Sequence, residues 1–137
     1  MTLGGTAVSW HSKKQSTHAL SAAEAEYMAA VEAGKECIWW KEFLKPFNLG
    51  QNQITLYEDN QAAIALSKNP QHHNRTKHIQ VKYHWIREMV SKKELSLSYI
   101  PTKFQLADIF TKSVPGHSLR PACENLNFYQ STSRGDN

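Results

Sequence analysis

The stretch from Ser21 to Leu44 constrains the fold of this chain more than any other, because it predicts a single long helix. Ser21 followed three residues later by Glu24 forms a capping box, in which each side chain bonds the backbone of the other residue. Apolar and small residues then recur at helical spacing, at Tyr27, Ala30, Val31, Gly34 and Ile38. Pro46 and Gly50 predict the end of this helix.

Alternation of apolar and polar residues predicts three strands. The first strand covers Thr6 to Lys14 and is entered from a hairpin, because Gly4-Gly5 precedes it as a turn signal. The second strand covers Gln53 to Asp59. The third strand is built on Leu95, Leu97 and Tyr99, which alternate with serines.

Three further helices and a weaker fourth are expected after the first. Asn60 can cap the stretch QAAIALSKN. A basic helix carries Ile79, Tyr83, Ile86 and Val90 on one stripe. Thr102 with Gln105 is a second capping box, and the short helix that follows carries Asp108. A weaker segment with Leu119 adds a small helix. The order of strands and helices predicts an α/β domain with a mixed sheet.

Composition and length favour a single globular domain. The chain has 137 residues, of which 40% are hydrophobic and 20% charged, and it contains no stretch close to the ~20 apolar residues that span a membrane. The first ten residues do not resemble a signal peptide, so we expect an intracellular, non-secreted protein. Cys37 and Cys123 are far apart with no CxxC motif, which favours reduced thiols.

Charge is distributed unevenly along the chain. From His72 to Lys93 six Lys and Arg residues face one acid, whereas from Ser21 to Asn60 seven acids face three lysines. A basic flank beside an acidic centre fits a nucleic-acid enzyme with a carboxylate metal site, because phosphates attract cations and Mg²⁺ prefers carboxylate oxygens. The alternative is a set of ordinary solvated helix faces of both signs.

Three carboxylates are candidate metal ligands by position. Asp59 lies where a strand ends and a helix begins, an edge at which α/β sheets build sites, although a turn aspartate is the alternative. Glu26 lies in the long helix beside a strip of small residues that would let the helix pack closely on a sheet, with a solvated helix glutamate as the alternative. Asp108 could instead form an i,i+4 ion pair with Lys112. Glu24 is expected to cap its helix.

Together these carboxylates fit a site for Mg²⁺ or Mn²⁺, and two such ions ~3.5–4 Å apart can activate water and stabilise the leaving oxygen at a phosphodiester. Zinc is the alternative that the histidines raise, but His72-His73, His78 and His84 lack a cysteine or paired spacing. An integrase-like transferase using Asp59 and Glu94 is a further alternative. A non-catalytic nucleic-acid-binding or assembly module built on the basic helix is the alternative from another class.

Four ordered blocks resemble a known family: SWHSKKQSTHALSAAEAEYMAA, LYEDNQAAIALSKNP, RTKHIQVKYHWIRE and YIPTKFQLADIFTK. Their order and spacing resemble the ribonuclease H domain at the C-terminal end of copia-type retrotransposon polyproteins. The resemblance runs from about Leu3 to Pro115, so we expect a ribonuclease H-like domain over 1–115. Residues 116–137 form a C-terminal extension whose last nine residues, YQSTSRGDN, are expected to be disordered.

The resemblance implies a ribonuclease H fold, a five-stranded mixed sheet flanked by helices, which cuts the RNA strand of an RNA/DNA hybrid. It implies two Mg²⁺ or Mn²⁺ ions held by the family's acidic residues, which fall on Glu26, Asp59 and Asp108. It also implies the reverse transcriptase portion of the same polyprotein as a partner, and a location in a cytoplasmic particle or the nucleus. Phosphate contacts are expected for some of the residues in the family's basic blocks: Lys13, Lys14, Arg75, Lys77 and His78.

The chain departs from the family pattern in two places. The family has a first strand, with an aspartate in a DADW-like stretch, before the Gly-Gly hairpin, whereas this chain begins at the hairpin. We therefore expect a domain that lacks the first strand and most of the second, and that is inactive alone. In addition, Pro101 to Leu106 contains no histidine, although some cellular ribonucleases H place one in the loop before the last aspartate.

Overall fold

The computed structural model of the chain describes residues 1–13, 15, 19, 21–68 and 77–128, and of residues 77–80 only the backbone. The chain divides into two compact units. A central unit covers Gln15–Thr102, and a terminal unit combines Met1–Lys14 with Lys103–Asn137. The expected boundary at residue 115 stays a prediction.

The central unit is built on the predicted long helix. This helix, α1, spans Ala22–Leu44, and the Ser21 hydroxyl accepts a hydrogen bond from the Glu24 N–H at 3.2 Å, so the capping half of the predicted box is confirmed. A short 3-10 turn at Lys45–Phe47 and Asn48 in the left-handed conformation (φ 58°) end it. Strand β3 (Ile54–Glu58), helix α2 (Gln61–Lys68), helix α3 (Lys77–Ser91) and strand β4 (Leu95–Tyr99) follow.

Strands β3 and β4 pair in parallel, with Ile54 opposite Leu95 and Glu58 opposite Tyr99. Parallel neighbours need a crossover connection, and here α2 and α3 form it. Helix α1 packs against β3, α2 and α3. The core of this unit consists of Tyr27, Ala30, Val31, Ala63, Tyr83 and Ile86.

Two aromatic side chains join α1 to α3 in this core. The rings of Tyr27 and Tyr83 stack with centroids 4.3 Å apart, and the Tyr27 hydroxyl donates to the Tyr83 carbonyl oxygen at 3.2 Å. Burial raises the pKa of Tyr27 to about 12. The helical stripe predicted for α3 is confirmed at Tyr83 and Ile86, which are both buried.

The terminal unit begins with the predicted hairpin. Strands β1 (Thr2–Leu3) and β2 (Thr6–Ala7) pair in antiparallel fashion around Gly4 and Gly5, whose positive φ angles of 59° and 81° suit glycine. Helices α4 (Asp108–Thr111) and α5 (Gly116–Asn125) complete the unit. Trp10 stacks on Phe110 with ring centroids 5.3 Å apart, and Phe128 meets both rings edge-on.

Several predicted elements are corrected. The strand predicted over Thr6 to Lys14 is only two residues long, because its ladder partner β1 is equally short. The described residues form two separate two-stranded sheets, where one mixed sheet was expected. Tyr99 is half exposed although the alternation in β4 predicts it to be buried. The predicted disordered tail lies outside the described residues.

The strip of small residues beside Glu26 is also only partly as predicted. The strip consists of Ala29, Ala30, Ala33 and Cys37. Ala30 and Cys37 are buried, whereas Ala29 and Ala33 are exposed. The reason is that the buried face of α1 is the one that carries Tyr27 and Val31, which lie four residues apart. In the described part of the chain, no helix is both long enough and apolar enough to cross a membrane.

Candidate active site

The end of β3 brings carboxylates together. Ile54 and Leu56 are half-buried and Glu58 is only 6% exposed, and they alternate with the exposed Thr55 and Tyr57. Glu58 therefore points to the inner face of the strand, at the end that leads into α2.

The turn after β3 is fixed by two side chains. The Glu58 carboxylate (Oε1) accepts a hydrogen bond from the Asn60 N–H at 3.0 Å. Asn60 Oδ1 in turn accepts from the N–H groups of Ala62 and Ala63 at 3.0 and 3.2 Å. Asn60 is thus the predicted cap of α2, and Asp59, which is half-buried, is held between two residues with fixed side chains.

Two neighbouring carboxylates act on the buried Glu58. Burial raises the pKa of Glu58 above its ordinary value, and the negative charges of Glu26 and Asp59 raise it further, against the opposite effect of the Asn60 N–H. Two of the predicted site residues, Glu26 and Asp59, therefore act electrostatically on the same group. A buried carboxylate whose charged form is disfavoured by nearby like charges is typical of sites that bind a cation or use a carboxylate in catalysis.

Glu58 is the residue that sequence reasoning missed. The signal was available, because the alternation that made Ile54 and Leu56 inward-facing also makes Glu58 inward-facing. The two glutamates of α1 lie in different environments: Glu26 is exposed, whereas Glu24 is fully buried at 0% exposure.

Asp108 lies in the terminal unit. It is the first residue of α4, and its carboxylate forms an ion pair with Lys112 Nζ at 2.7 Å, the alternative that the sequence raised. The capping box predicted at Thr102 is wrong: Thr102 begins a short 3-10 turn that ends at Phe104, and the N-cap of α4 is Ala107, which has no side-chain oxygen.

The donor atoms suit a hard cation. Carboxylate oxygens such as those of Glu26 and Asp59 are the ligands that Mg²⁺ and Mn²⁺ prefer. Within the described residues, no three His, Cys, Asp or Glu side chains are grouped closely enough to hold a metal ion. The chemistry of the donors thus fits the expected ion, but the described residues do not form a ready three-ligand cage.

The expected phosphate contacts fall mostly outside the described residues. Lys14 and Arg75 lie outside them, as do the side chains of Lys77 and His78 at the start of α3, while Lys13 is described and exposed. On α3, Lys82 pairs with Glu32 at 2.9 Å and lowers its pKa. Lys92, the residue after α3, pairs with Glu88 at 2.6 Å. These two cations are therefore already matched by carboxylates.

Glu94, the second acid of the integrase alternative, forms an ion pair with Lys41 that lowers its pKa. This contact gives Glu94 a structural role at the start of β4, where its carbonyl oxygen also accepts from the Ile54 N–H at 3.0 Å. The integrase alternative gains no support from this position.

The fold and the site define an α/β protein with acidic residues at the end of a parallel strand. Among the proteins that it is similar to are retrovirus-related Pol polyproteins of plant transposons. The chain is 54% identical over 125 residues, 91% of its length, to the retrovirus-related Pol polyprotein from transposon TNT 1-94 of Nicotiana tabacum, of which it covers 9%. It is 37% identical over 111 residues, 80% of its length, to those from transposons RE1 and RE2 of Arabidopsis thaliana, of which it covers 8% each.

The homology supports the polyprotein part of the expected identity, and the chain spans less than a tenth of the length of these relatives. No family model matches the chain. No solved structure matches it either.

Proposed function

We propose that this chain is the ribonuclease H region of a retrotransposon Pol polyprotein and acts on the RNA strand of an RNA/DNA hybrid. The homology to Pol polyproteins supports the proposal that the chain is part of such a polyprotein. The resemblance of the four sequence blocks supports its assignment to the ribonuclease H domain. The observation that carries the proposal is that Glu26 and Asp59 both act electrostatically on the buried Glu58 where β3 ends. Negative charge is concentrated there in a way that a bound cation would relieve.

In this proposal Glu26 and Asp59 hold Mg²⁺ or Mn²⁺, and the resemblance alone adds Asp108 as the family's third ligand. When bound, such ions supply an activated water and a counter-charge for the leaving oxygen of a phosphodiester. The chain itself orients the ligands: the Asn60 cap fixes the turn that carries Asp59, and α1 carries Glu26.

The remaining parts of the proposal concern partners. Some of the basic residues would contact phosphates of the hybrid, namely Lys13, Lys14, Arg75, Lys77 and His78. The reverse transcriptase portion of the polyprotein would be a partner domain, and the protein would act inside the cell, in a particle or the nucleus. The ribonuclease H-like domain would end at residue 115.

A cation-binding measurement tests the site directly. Mn²⁺ bound to the purified chain is detected by its enhancement of water proton relaxation, and Mg²⁺ is expected to compete with it. Asp59→Asn and Glu26→Gln are expected to abolish most of the binding, because each removes an anionic ligand. Glu88→Gln, which removes an exposed acid of α3, is the matched control. Equal binding by all four proteins would refute the proposed site.

The reaction is tested with an RNA/DNA hybrid labelled on either strand. Cleavage of the RNA strand alone, dependent on Mg²⁺ and lost in Asp59→Asn, would support the proposed activity. The same assay tests the separate prediction that residues 1–137 are inactive alone, which strong cleavage would contradict. Cleavage of both strands, or of double-stranded DNA, would contradict the proposed substrate.

A non-catalytic binding module is the alternative function. Its sequence basis is the basic helix, but the described residues in and directly after α3 favour it less, because Lys82 and Lys92 are paired with acids. Salt-dependent hybrid binding that survives replacement of Glu26, Asp59 and Asp108 together would favour the module.

A further inference from the structure

The second half of α1 and the 3-10 turn that follows it expose a row of aromatic rings. This aromatic face consists of Trp39, Trp40, Phe43 and Phe47, whose rings touch in sequence with centroids 5.3 to 5.9 Å apart. Trp39 is 59%, Phe43 49% and Phe47 61% exposed. Apolar patches of this kind on a protein surface usually mark a binding site.

The charges beside the aromatic face argue against nucleic acid as the ligand. Residues 32–45 carry three glutamates and three lysines, so this half of α1 has no excess of positive charge to attract phosphates. Two of the lysines already pair with acids of the same helix, Lys35 with Glu32 at 3.4 Å and Lys45 with Glu42 at 3.7 Å. A neutral, aromatic helix face suits another protein surface.

The order of the charges along α1 indicates which kind of protein would bind this face. Along the helix the signs alternate, and the spacings of 3, 1, 5, 1 and 3 residues are the same read from either end: Glu32, Lys35, Glu36, Lys41, Glu42 and Lys45. A second copy of the helix running in the opposite direction, centred between Ile38 and Trp39, therefore meets an opposite charge at every position. We propose that α1 forms the antiparallel, two-fold symmetric contact of a homodimer of this chain.

The helix geometry places the decisive pair on the aromatic face. Lys35 is four residues before Trp39 and Glu42 is three residues after it, so all three side chains lie on one stripe of α1. In the antiparallel register Lys35 of one copy lies opposite Glu42 of the other, and two-fold symmetry makes this pair twice. The two Trp39 rings then meet beside the symmetry axis.

The existing ion pairs do not prevent this exchange. The Lys35–Glu32 and Lys45–Glu42 pairs are exposed, and exposed pairs at i,i+3 contribute little stability. Lys41 is different, because Glu94 and the Asn52 carbonyl oxygen hold it. The pair that the register offers between Glu36 and Lys41 is therefore not expected to form. Glu32 also pairs with Lys82 of α3 at 2.9 Å, so the proposal depends on the pair of Lys35 with Glu42.

Shape supports the same register. Ala29 and Ala33 are exposed on the first half of α1. In the antiparallel register Phe47 of the second copy lies within one residue of the position opposite Ala29, and Phe43 within one residue of the position opposite Ala33. Large rings thus meet small side chains, which lets the helices approach closely. Half-exposed rings of this size supply roughly half of the ~800 Å² per partner in a standard interface, and the flanking charges and alanines supply the rest.

The mass of the chain in solution tests the proposal. Sedimentation equilibrium of the full chain over a range of concentrations is expected to give a species of twice 15.6 kDa. Lys35→Glu or Glu42→Lys each creates two like-charge contacts across the axis and is expected to weaken the dimer about tenfold. The double variant Lys35→Glu/Glu42→Lys restores both pairs and is expected to recover the dimer.

Mixing the two charge-reversed variants tests the pairing of Lys35 with Glu42 most directly. The Lys35→Glu and Glu42→Lys variants, each impaired alone, are expected to form a heterodimer when combined, because both cross-axis pairs then become opposite in charge. Lys68→Glu, at the exposed end of α2, is the matched control, and circular dichroism verifies that every variant is folded. A chain that stays monomeric, or a dimer that no charge reversal changes, would overturn the proposal.

Discussion

Gly34 lies in α1 close to the side chains of Leu95 and Trp85, and its replacement by alanine is expected to destabilise the protein. A Cβ at this position would lie 3.0 Å from Leu95 Cδ1 and 3.2 and 3.3 Å from two ring carbons of Trp85. Carbon atoms in good contact are ~3.5–4.0 Å apart, so Leu95 would have to retreat by about half an ångström. Leu95 is fully buried, which leaves it little space to do so.

The magnitude follows from two opposing effects. Alanine is favoured over glycine within a helix by about 1 kcal/mol. Overpacking of a well-filled core costs about 1–3 kcal/mol, and the upper half of that range applies because backbone on both sides is fixed, by α1 and by the β3–β4 ladder. We expect Gly34→Ala to lower the free energy of unfolding by about 1–2 kcal/mol.

Urea unfolding followed by far-UV circular dichroism measures this change. Gly116→Ala is the matched control, because a Cβ at Gly116 would meet nothing within 4 Å. Combining Gly34→Ala with Leu95→Val, which shortens the obstructing side chain, is expected to cost less than the sum of the two single changes. Unchanged or increased stability of Gly34→Ala, with the same slope in urea, would refute the packing argument.

Three further predictions concern single side chains. Because burial and its acidic neighbours raise the pKa of Glu58 above 4.5, Glu58→Gln is expected to raise the melting temperature at neutral pH, and this gain should vanish below pH 4.5, where the carboxyl is protonated in both states. Asn60→Ala is expected to cost about 1 kcal/mol in urea unfolding through loss of the α2 cap, and Asn60→Asp much less. Tyr27 ionises near 10.0 when unfolded and at about 12 when folded, so stability should fall as pH rises above 10.0, and less steeply in Tyr27→Phe. No difference between variant and wild type in these comparisons would contradict the corresponding contact.

Local sequence signals predicted most of the central unit. The cap at Ser21, the alternation before Asp59 and the cap at Asn60 each depend on residues within four positions, so α1, β3 and α2 could be placed to within a residue or two. The start of α4 could not, because the turn before it replaces the expected cap by Ala107.

The site was less predictable than the fold. Asp59 and Glu26 were predicted from their positions and from the resemblance. In the structure both carboxylates raise the pKa of Glu58. This effect depends on the packing of α1 against β3. The length of the first strand likewise depended on its ladder partner rather than on its own alternation. Tertiary contacts of this kind cannot be predicted from a local sequence pattern.

The stacked Tyr27 and Tyr83 have a consequence for the order of folding. Their hydrogen bond joins residues 56 positions apart, and the ladder of β3 with β4 joins residues 41 positions apart, as Thr55 with Ser96. During synthesis the apolar side of α1 is therefore not fully covered until α3, which carries Tyr83, has left the ribosome. A nascent chain in this interval exposes Tyr27 and Val31, which makes it a substrate for chaperones that bind apolar segments.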